Sequence, residues 1–190
     1  MRKIFVALTV LLCLLTASTV LAAKSADEQR AEIKVLHDKA LANLYAKFPN
    51  AERVIQNCYA YATLSNTGIK LGIFGDAHGR GVAVNNDTGE RVYLKMAEQS
   101  AGIGLGVKEY DLIFLIGTRE AWDNFLAGKI RFAANADAAA TDGATGGSIE
   151  GATYVAPGVW VYQMTTKGLA VEATLKGMKV WRDKKLSPIE

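Results

Sequence analysis

All 18 glycines of this 190-residue chain lie between Gly68 and Gly177, and none falls in residues 1–67. A glycine inside a helix costs roughly 0.5–1 kcal/mol relative to alanine, whereas turns, bulges and close strand approach favour it. The chain therefore divides into a helix-compatible front and a strand-rich remainder. Strands that follow one another through short turns make a mostly antiparallel sheet.

The first 22 residues read as an address and not as part of the fold. Met1-Arg2-Lys3 is a short positive start, Ile4 to Leu15 is nearly all apolar, and Val20-Leu21-Ala22 ends in small residues of the kind a signal peptidase reads. Cleavage near Ala22 and a periplasmic or secreted protein are expected. A lipid-modified Cys13 is not, because Leu12 stands where that processing needs a small residue. Removing residues 1–22 takes away Arg2 and Lys3 and no acidic side chain, so the formal charge falls from +3 to +1. That balance argues against a nucleic-acid partner, which needs a clear basic excess. Half the chain is hydrophobic and 22% is charged, which excludes a disordered protein. With Cys13 gone, Cys58 has no disulfide partner and is expected to be a small buried hydrophobe.

In the front, Ile33, Leu36, Ala40, Leu41, Leu44 and Phe48 recur at helical spacing. Ser25 is a candidate N-cap with Asp27 and Glu28 in the first turn, and Pro49 ends the helix or lies in its exit turn. Ala51, Val54, Ile55 and Cys58 suggest a second helix. Beyond them, Val92, Leu94 and Met96 alternate with Tyr93, Lys95 and Ala97, the pattern of a half-buried strand. Asn85 to Gly89 reads as a hairpin loop from a strand at Gly81–Val84. Leu112 to Ile116 reads as a fully buried strand. Thr118 can cap a short helix with Ala121, Trp122, Phe125 and Leu126 inside and Gly128 as its stop. Ile130, Phe132 and Ala134 resume period two, and residues 135–151 form a loop. Val159–Thr165, Leu169–Leu175 and Met178–Arg182 are expected as a closing meander, with Lys167-Gly168 and Lys176-Gly177 as turns. The expected fold is α+β: an N-terminal helical segment, then a curved, mostly antiparallel β-sheet with one short inserted helix.

No catalytic constellation is visible. His37 neighbours charged residues and is expected in solvent, while His78 lies in a glycine-rich hairpin where it could touch a ligand. Neither histidine has a partner at metal-ligand spacing, so no metal and no cofactor are expected. Gly146-Gly147-Ser148-Ile149-Glu150 lacks the final glycine of a nucleophile elbow. Gly102-Ile103-Gly104-Leu105-Gly106 lacks the third dinucleotide glycine, because Val107 stands there. Those three glycines instead leave one face of a strand bare. Carboxylates cannot be paired from spacing alone. An envelope hydrolase or transferase therefore remains one alternative, and an adaptor that binds an envelope protein through a sheet edge remains another.

Four stretches in order carry a resemblance. They are Ile69-Lys70-Leu71-Gly72-Ile73-Phe74-Gly75 with Gly79-Arg80-Gly81-Val82, Gly102 to Gly106 with Tyr110 to Leu115, Ala121 to Lys129, and Tyr162 with Lys167-Gly168-Leu169 and Gly177. Together, over Ala51 to Trp181, they resemble the SYLF-domain family of lipid-binding domains. The chain departs from that pattern at Leu64-Ser65-Asn66-Thr67, where members often carry Phe-Pro, and at Val92-Tyr93-Leu94, where Trp-Ser is typical. The resemblance implies a non-enzymatic domain over residues 51–190, behind an N-terminal helix at 23–50, that binds phospholipid, often anionic or phosphoinositide. Some cytoplasmic relatives also bind actin beside a Src-homology-3 domain. No such domain is recognisable here and the start resembles an export signal, so actin is not expected.

A lipid headgroup needs cations near an apolar surface. Lys70 is the family-matched candidate, and Arg80 shares its hairpin. A second group lies toward the C-terminus, where Lys176, Lys179, Arg182, Lys184 and Lys185 surround Trp181, a residue type favoured at membrane interfaces. The expected lipid-binding residues are Lys70, Arg80, Lys179, Trp181 and Lys184. The front helix could also lie in a membrane plane, but packing of its stripe on the sheet is expected.

Overall fold

The computed structural model describes residues 24–132, 149–165 and 177–188, and for residues 69–75 and 100–108 the backbone alone. The signal-like start, most of the 135–151 loop, the Lys167-Gly168 turn and the strand expected at Leu169–Leu175 lie outside the described residues.

Helix α1 (Ala26–Lys47) starts at Ser25. The Ser25 hydroxyl accepts from the Glu28 amide while the Glu28 carboxylate accepts from the Ser25 amide, a reciprocal cap that satisfies two otherwise orphaned donors. Phe48 closes the helix just before Pro49, and α2 (Ala51–Asn57) follows, both as expected. Ile33, Ala40 and Leu44 of the expected stripe are buried, whereas Leu36 remains 37% exposed.

Strands β1 (Ala60–Asn85) and β2 (Arg91–Ile116) form one antiparallel hairpin, in register from Ala60↔Ile116 to Val84↔Arg91 with a single irregularity between Gly72 and Phe74. The separately expected strands at Gly81–Val84, Val92–Ala97 and Leu112–Ile116 are therefore pieces of these two. The hydrogen-bonded ladder runs on through the glycine-rich middle and joins them. The turn is built by Asn85, whose side-chain oxygen accepts from the amides of Asp87 and Thr88, and by Gly89 at φ +72°.

Thr63 and Gly81 would stand roughly 60 Å apart on a straight strand. Instead a Cβ placed on Gly81 would meet the Thr63 carbonyl oxygen at 1.8 Å, and one on Gly79 would meet Asn66 Oδ1 at 1.7 Å. The hairpin is bent back on itself, and glycine is what lets its two halves touch. Inside the bend Leu64, Leu94, Met96, Leu112, Phe114 and Ile116 form the main core.

Helix α3 (Arg119–Leu126) closes that core with Ala121, Trp122 and Phe125, capped by the Thr118 hydroxyl and stopped at Gly128, φ +67°. Residues 129–132 form no strand, contrary to the period-two expectation through Ile130, Phe132 and Ala134. The alternation has another cause: Phe132 is buried against Phe114 and Phe125, and Ile130 packs beside it. Ala134 lies outside the described residues.

Strands β3 (Thr153–Ala156), β4 (Val159–Thr165) and β5 (Met178–Arg182) complete a sheet of order β1-β2-β4-β3. The first and last of the three expected closing strands are present as β4 and β5, with the expected bounds. Both β4 and β5 pair with β2, β4 along Tyr110–Ile116 and β5 along Leu94–Glu98. The opposite face of β2 presents Ile113 and Leu115, which pack with Tyr162, Leu44 and Ile55 under the helices. Ile33 of α1 packs on Val82, Val84 and Leu186, so the C-terminal tail is wedged beneath the first helix. The result is the α+β fold expected from the sequence. No described helix is long and apolar enough to cross a membrane.

Candidate functional site

Alternation in β1, β2 and β5 puts two cations and an indole in one cross-strand row. Arg80 pairs with Lys95, and Lys95 pairs with Trp181. Directly opposed residues share a face. Two residues along β5, Lys179 points the same way, next to Ala97 and then His78. Met178 and Val180 turn inward and are buried, which forces Lys179 and Trp181 outward.

The row borders an open cleft of about 560 Å³ whose walls include Leu36, Lys39, Arg80, Lys95, Asp111 and Trp181. Leu36 and Trp181 are two of the three large apolar side chains that stay exposed among the described residues. The cations here have acidic neighbours. Arg80 Nη2 lies 4.0 Å from a Glu32 oxygen, and Lys95 Nζ lies 3.3 Å from the buried Asp183. Lys39 pulls the Asp111 carboxyl downward, but burial outweighs it and the Ser65 hydrogen bond, so the carboxyl titrates above its usual range.

The carboxylates do not face one another. Tyr110 and Asp111 are consecutive and leave β2 on opposite faces. Tyr110 donates to Glu98 at 2.5 Å inside the bend, and Ser65 donates to Asp111 at 2.5 Å outside it. Burial and that carboxylate push the Tyr110 phenol upward.

Both histidines are placed by local contacts. His78 is exposed and bonded to Asp76 at 2.8 Å on the cleft rim. His37 is buried, contrary to expectation. It projects from α1 onto β1, where Nδ1 lies 2.8 Å from the Thr63 hydroxyl and the ring stacks on Tyr61. It occupies the buried stripe between Ile33 and Ala40, while its charged sequence neighbours Lys34 and Asp38 pair with each other in solvent. Cys58 is half-buried, and its thiol donates to the carbonyls of Ile55 and Ala60. Burial pushes that thiol up to about 11, which suits the inert small side chain expected.

A second cleft, of about 590 Å³, opens where α3 ends beside the start of β5. Lys129, Arg131, Phe132, Met178 and Lys179 are among its walls. Lys179 therefore belongs to this cleft and Trp181 to the first. Lys184 is exposed on the turn after β5. Lys70 pairs with Gly106 in the middle of the hairpin, and its side chain lies outside the described residues. The structure thus brings Arg80 and Trp181 together and sets Lys179 and Lys184 apart from them. Leu36, Lys39, Lys95 and Arg131 join these surfaces without any motif that marks them, as does Lys129, which ends the third resemblance stretch but was not expected as a site residue. Lys95 carried a usable signal, as an outward residue of a half-buried strand.

Residues 97–187 match the family model described as Ysc84, Las17-binding protein actin regulator. Over 167 residues the chain is also 31% identical to Beta cell expansion factor A of Aeromonas veronii, an alignment covering 86% of this chain and 61% of that protein. This chain belongs to the SYLF-domain family. SYLF membership supports a lipid-binding or actin-regulating domain. Within the SYLF fold seen here, the matched stretch runs from Ala97 of β2 through α3, β4 and β5 to Ser187. It contains Lys129, Arg131, Lys179, Trp181 and Lys184, whereas Lys70 and Arg80 precede it.

Proposed function

We propose that this SYLF protein is exported, loses residues 1–22 and binds anionic phospholipid at a membrane surface of the cell envelope, without catalysing a reaction. The helix within residues 23–50 then serves as packing for the lipid-binding unit over 51–190. The observation that carries the reading is the outward row Arg80–Lys95–Trp181, with Lys179 on the same face and Leu36 across the cleft. An indole and a leucine held at the surface between cations suit the interfacial zone, where the apolar group enters and the charges meet headgroups. Glu98, which is buried, and Asp111, which is partly buried, support a non-catalytic reading, since each is tied to a hydroxyl on a different face of β2. Actin is not a partner in such a compartment.

The test is co-sedimentation of the protein lacking residues 1–22 with phosphatidylcholine vesicles, with and without phosphatidylglycerol. Pelleting is expected with the anionic vesicles only, several-fold weaker for Trp181→Ala and for Lys179→Glu. No pelleting with either vesicle, or equal pelleting with both, overturns the reading. An intact mass that starts at Ala23 in exported material tests the processing.

A further inference from the structure

Helix α1 is fastened to the sheet by side chains, whereas the strands hold one another through backbone ladders. Its buried residues are Ile33, His37, Ala40 and Leu44. Ile33 packs on Val82, Val84 and Leu186, and Leu44 packs with Ile55, Ile113 and Leu115. The position between these apolar anchors holds an imidazole that is only 6% exposed.

The groups facing that ring leave a second proton poorly compensated. From β1, the Thr63 hydroxyl lies 2.8 Å from Nδ1 and carries no charge. The Tyr61 ring, also from β1, stacks with centroids 5.8 Å apart, and a π face attracts a cation only weakly. On α1 itself Asp38 favours the proton and Lys34 opposes it, but the two are paired with each other at 2.5 Å in solvent. From β2, Arg91 adds a further positive charge. Burial outweighs all of these and keeps the imidazole neutral below its ordinary range.

The same helix forms part of the wall of the first cleft. Leu36, one residue before His37, and Lys39, two after it, line that cleft together with Arg80, Lys95 and Trp181. Whatever loosens α1 at His37 therefore moves that wall.

We infer that His37 is a pH-operated latch, whose protonation releases α1 from the sheet, and with it the Leu36–Lys39 wall of the first cleft, while the sheet stays folded. An element held by side chains alone belongs to the low end of local stability, below strands tied by ladders. On the released helix the imidazole is solvated, with a pKa near 6.5. The docked helix keeps it neutral to lower pH, so release takes up a proton below pH ~6.5. Each further unit of acidification then favours the released state by up to about tenfold. Above pH ~6.5 the docked state carries no such penalty. The inference holds whatever ligand the cleft takes, so it stands or falls apart from the membrane reading.

The experiment is amide hydrogen exchange at pH 7.5 and pH 5.5, with each rate divided by the intrinsic rate at that pH. Protection of the α1 amides 33–44 is expected to fall by up to about tenfold, the limit for one proton, while amides 112–116 of β2 keep theirs. Asp111 also titrates in the cleft, and His37→Gln separates the two, because glutamine keeps a neutral hydrogen-bonding group facing Thr63. In that variant α1 protection should stay nearly constant between the two pH values. Protection of α1 that does not change in wild type, or that falls equally in His37→Gln, overturns the inference. So does a loss shared equally by α1 and β2, which would be unfolding of the whole molecule. If His37→Gln does not fold, the wild-type ring decides. A His37 Cε1–H signal that titrates below about pH 6.5 supports the latch, and a midpoint at or above that value overturns it.

Discussion

Single glycines do opposite things in this chain, and the difference lies in what surrounds the missing Cβ. At Gly81 a Cβ would land 1.8 Å from the Thr63 carbonyl oxygen and 2.8 Å from its carbon, both backbone atoms that cannot rotate away. At Gly89 there is nothing within 4 Å, but φ is +72°. Gly81→Val should therefore force the halves of the bent hairpin apart and lower stability by about 3 kcal/mol, the upper end for overpacking. Gly89→Ala should cost only about 1 kcal/mol, through its backbone conformation alone. Denaturant unfolding of both variants measures this. A Gly81→Val protein that unfolds at the wild-type midpoint would show that the two halves do not touch.

Helix α1 is held on the sheet by an interface that contains an ionisable group. Burial holds the His37 imidazole below its usual range, and the nearby Arg91 and Lys34 add to this, against Asp38. The unfolded chain, with a pKa near 6.5, then binds more protons than the folded chain as pH falls through and below that value. Stability from this docking is present above pH ~6.5 and is lost progressively as pH drops toward the lowered folded value. Asp111 works in the other direction. Its carboxyl is raised by burial, so acidification stabilises the fold through that group as its proton is taken up. A His37→Gln variant isolates the histidine: it should show a flatter loss of stability between about pH 6.5 and 5 than wild type. Parallel curves for the two proteins in that window would mean that His37 does not titrate on unfolding.

At the scale of the whole molecule, the proposed loss of residues 1–22 leaves a net charge of only +1, too little for long-range attraction to an anionic surface. The proposed membrane binding therefore rests on local patches of the surface. Each cation near an anionic leaflet contributes about 1 kcal/mol, screened over roughly 8–10 Å at physiological salt. Vesicle binding should therefore fall several-fold between about 50 and 300 mM salt, with the part owed to Trp181 and Leu36 persisting. A Trp181→Ala protein should be more completely released by salt than wild type, because it keeps the charges and loses most of the apolar contact. Binding that does not change with salt would assign the attachment to apolar insertion alone.

Much of the local structure was legible in the residues. The Ser25 cap with Glu28, the Thr118 cap, the Gly128 stop, the Asn85–Gly89 loop and the bounds of β4 and β5 depend on contacts within a few positions, so short-range pattern carries them. The α+β class followed from where glycine is permitted. The order of motifs over Ala51 to Trp181 also pointed to the family to which the chain belongs. Other features depend on partners distant in sequence. The glycine-rich centre of the hairpin keeps period two at Ile69, Leu71 and Ile73 and at Ile103, Leu105 and Val107, but that local pattern does not say where a strand ends or bends, so the continuity of β1 and β2, and the bend that brings Gly81 onto Thr63, are set by backbone hydrogen bonds and close approach. His37 reads as a solvent residue beside Lys34 and Asp38, until the register of α1 on β1 turns it inward to Thr63. Arg80 meets Lys95 through the β1–β2 register and nears Trp181 only because β5 pairs with Leu94–Glu98 of β2, and Lys129 and Arg131 come near Lys179 because Gly128 lies against that same strand. The sequence by itself determined the helices, their caps and stops, and the bounds of β4 and β5, because those follow from neighbouring residues. Which cations share a surface was decided by tertiary structure, because charges act through space and the chain that carries them is folded back on itself.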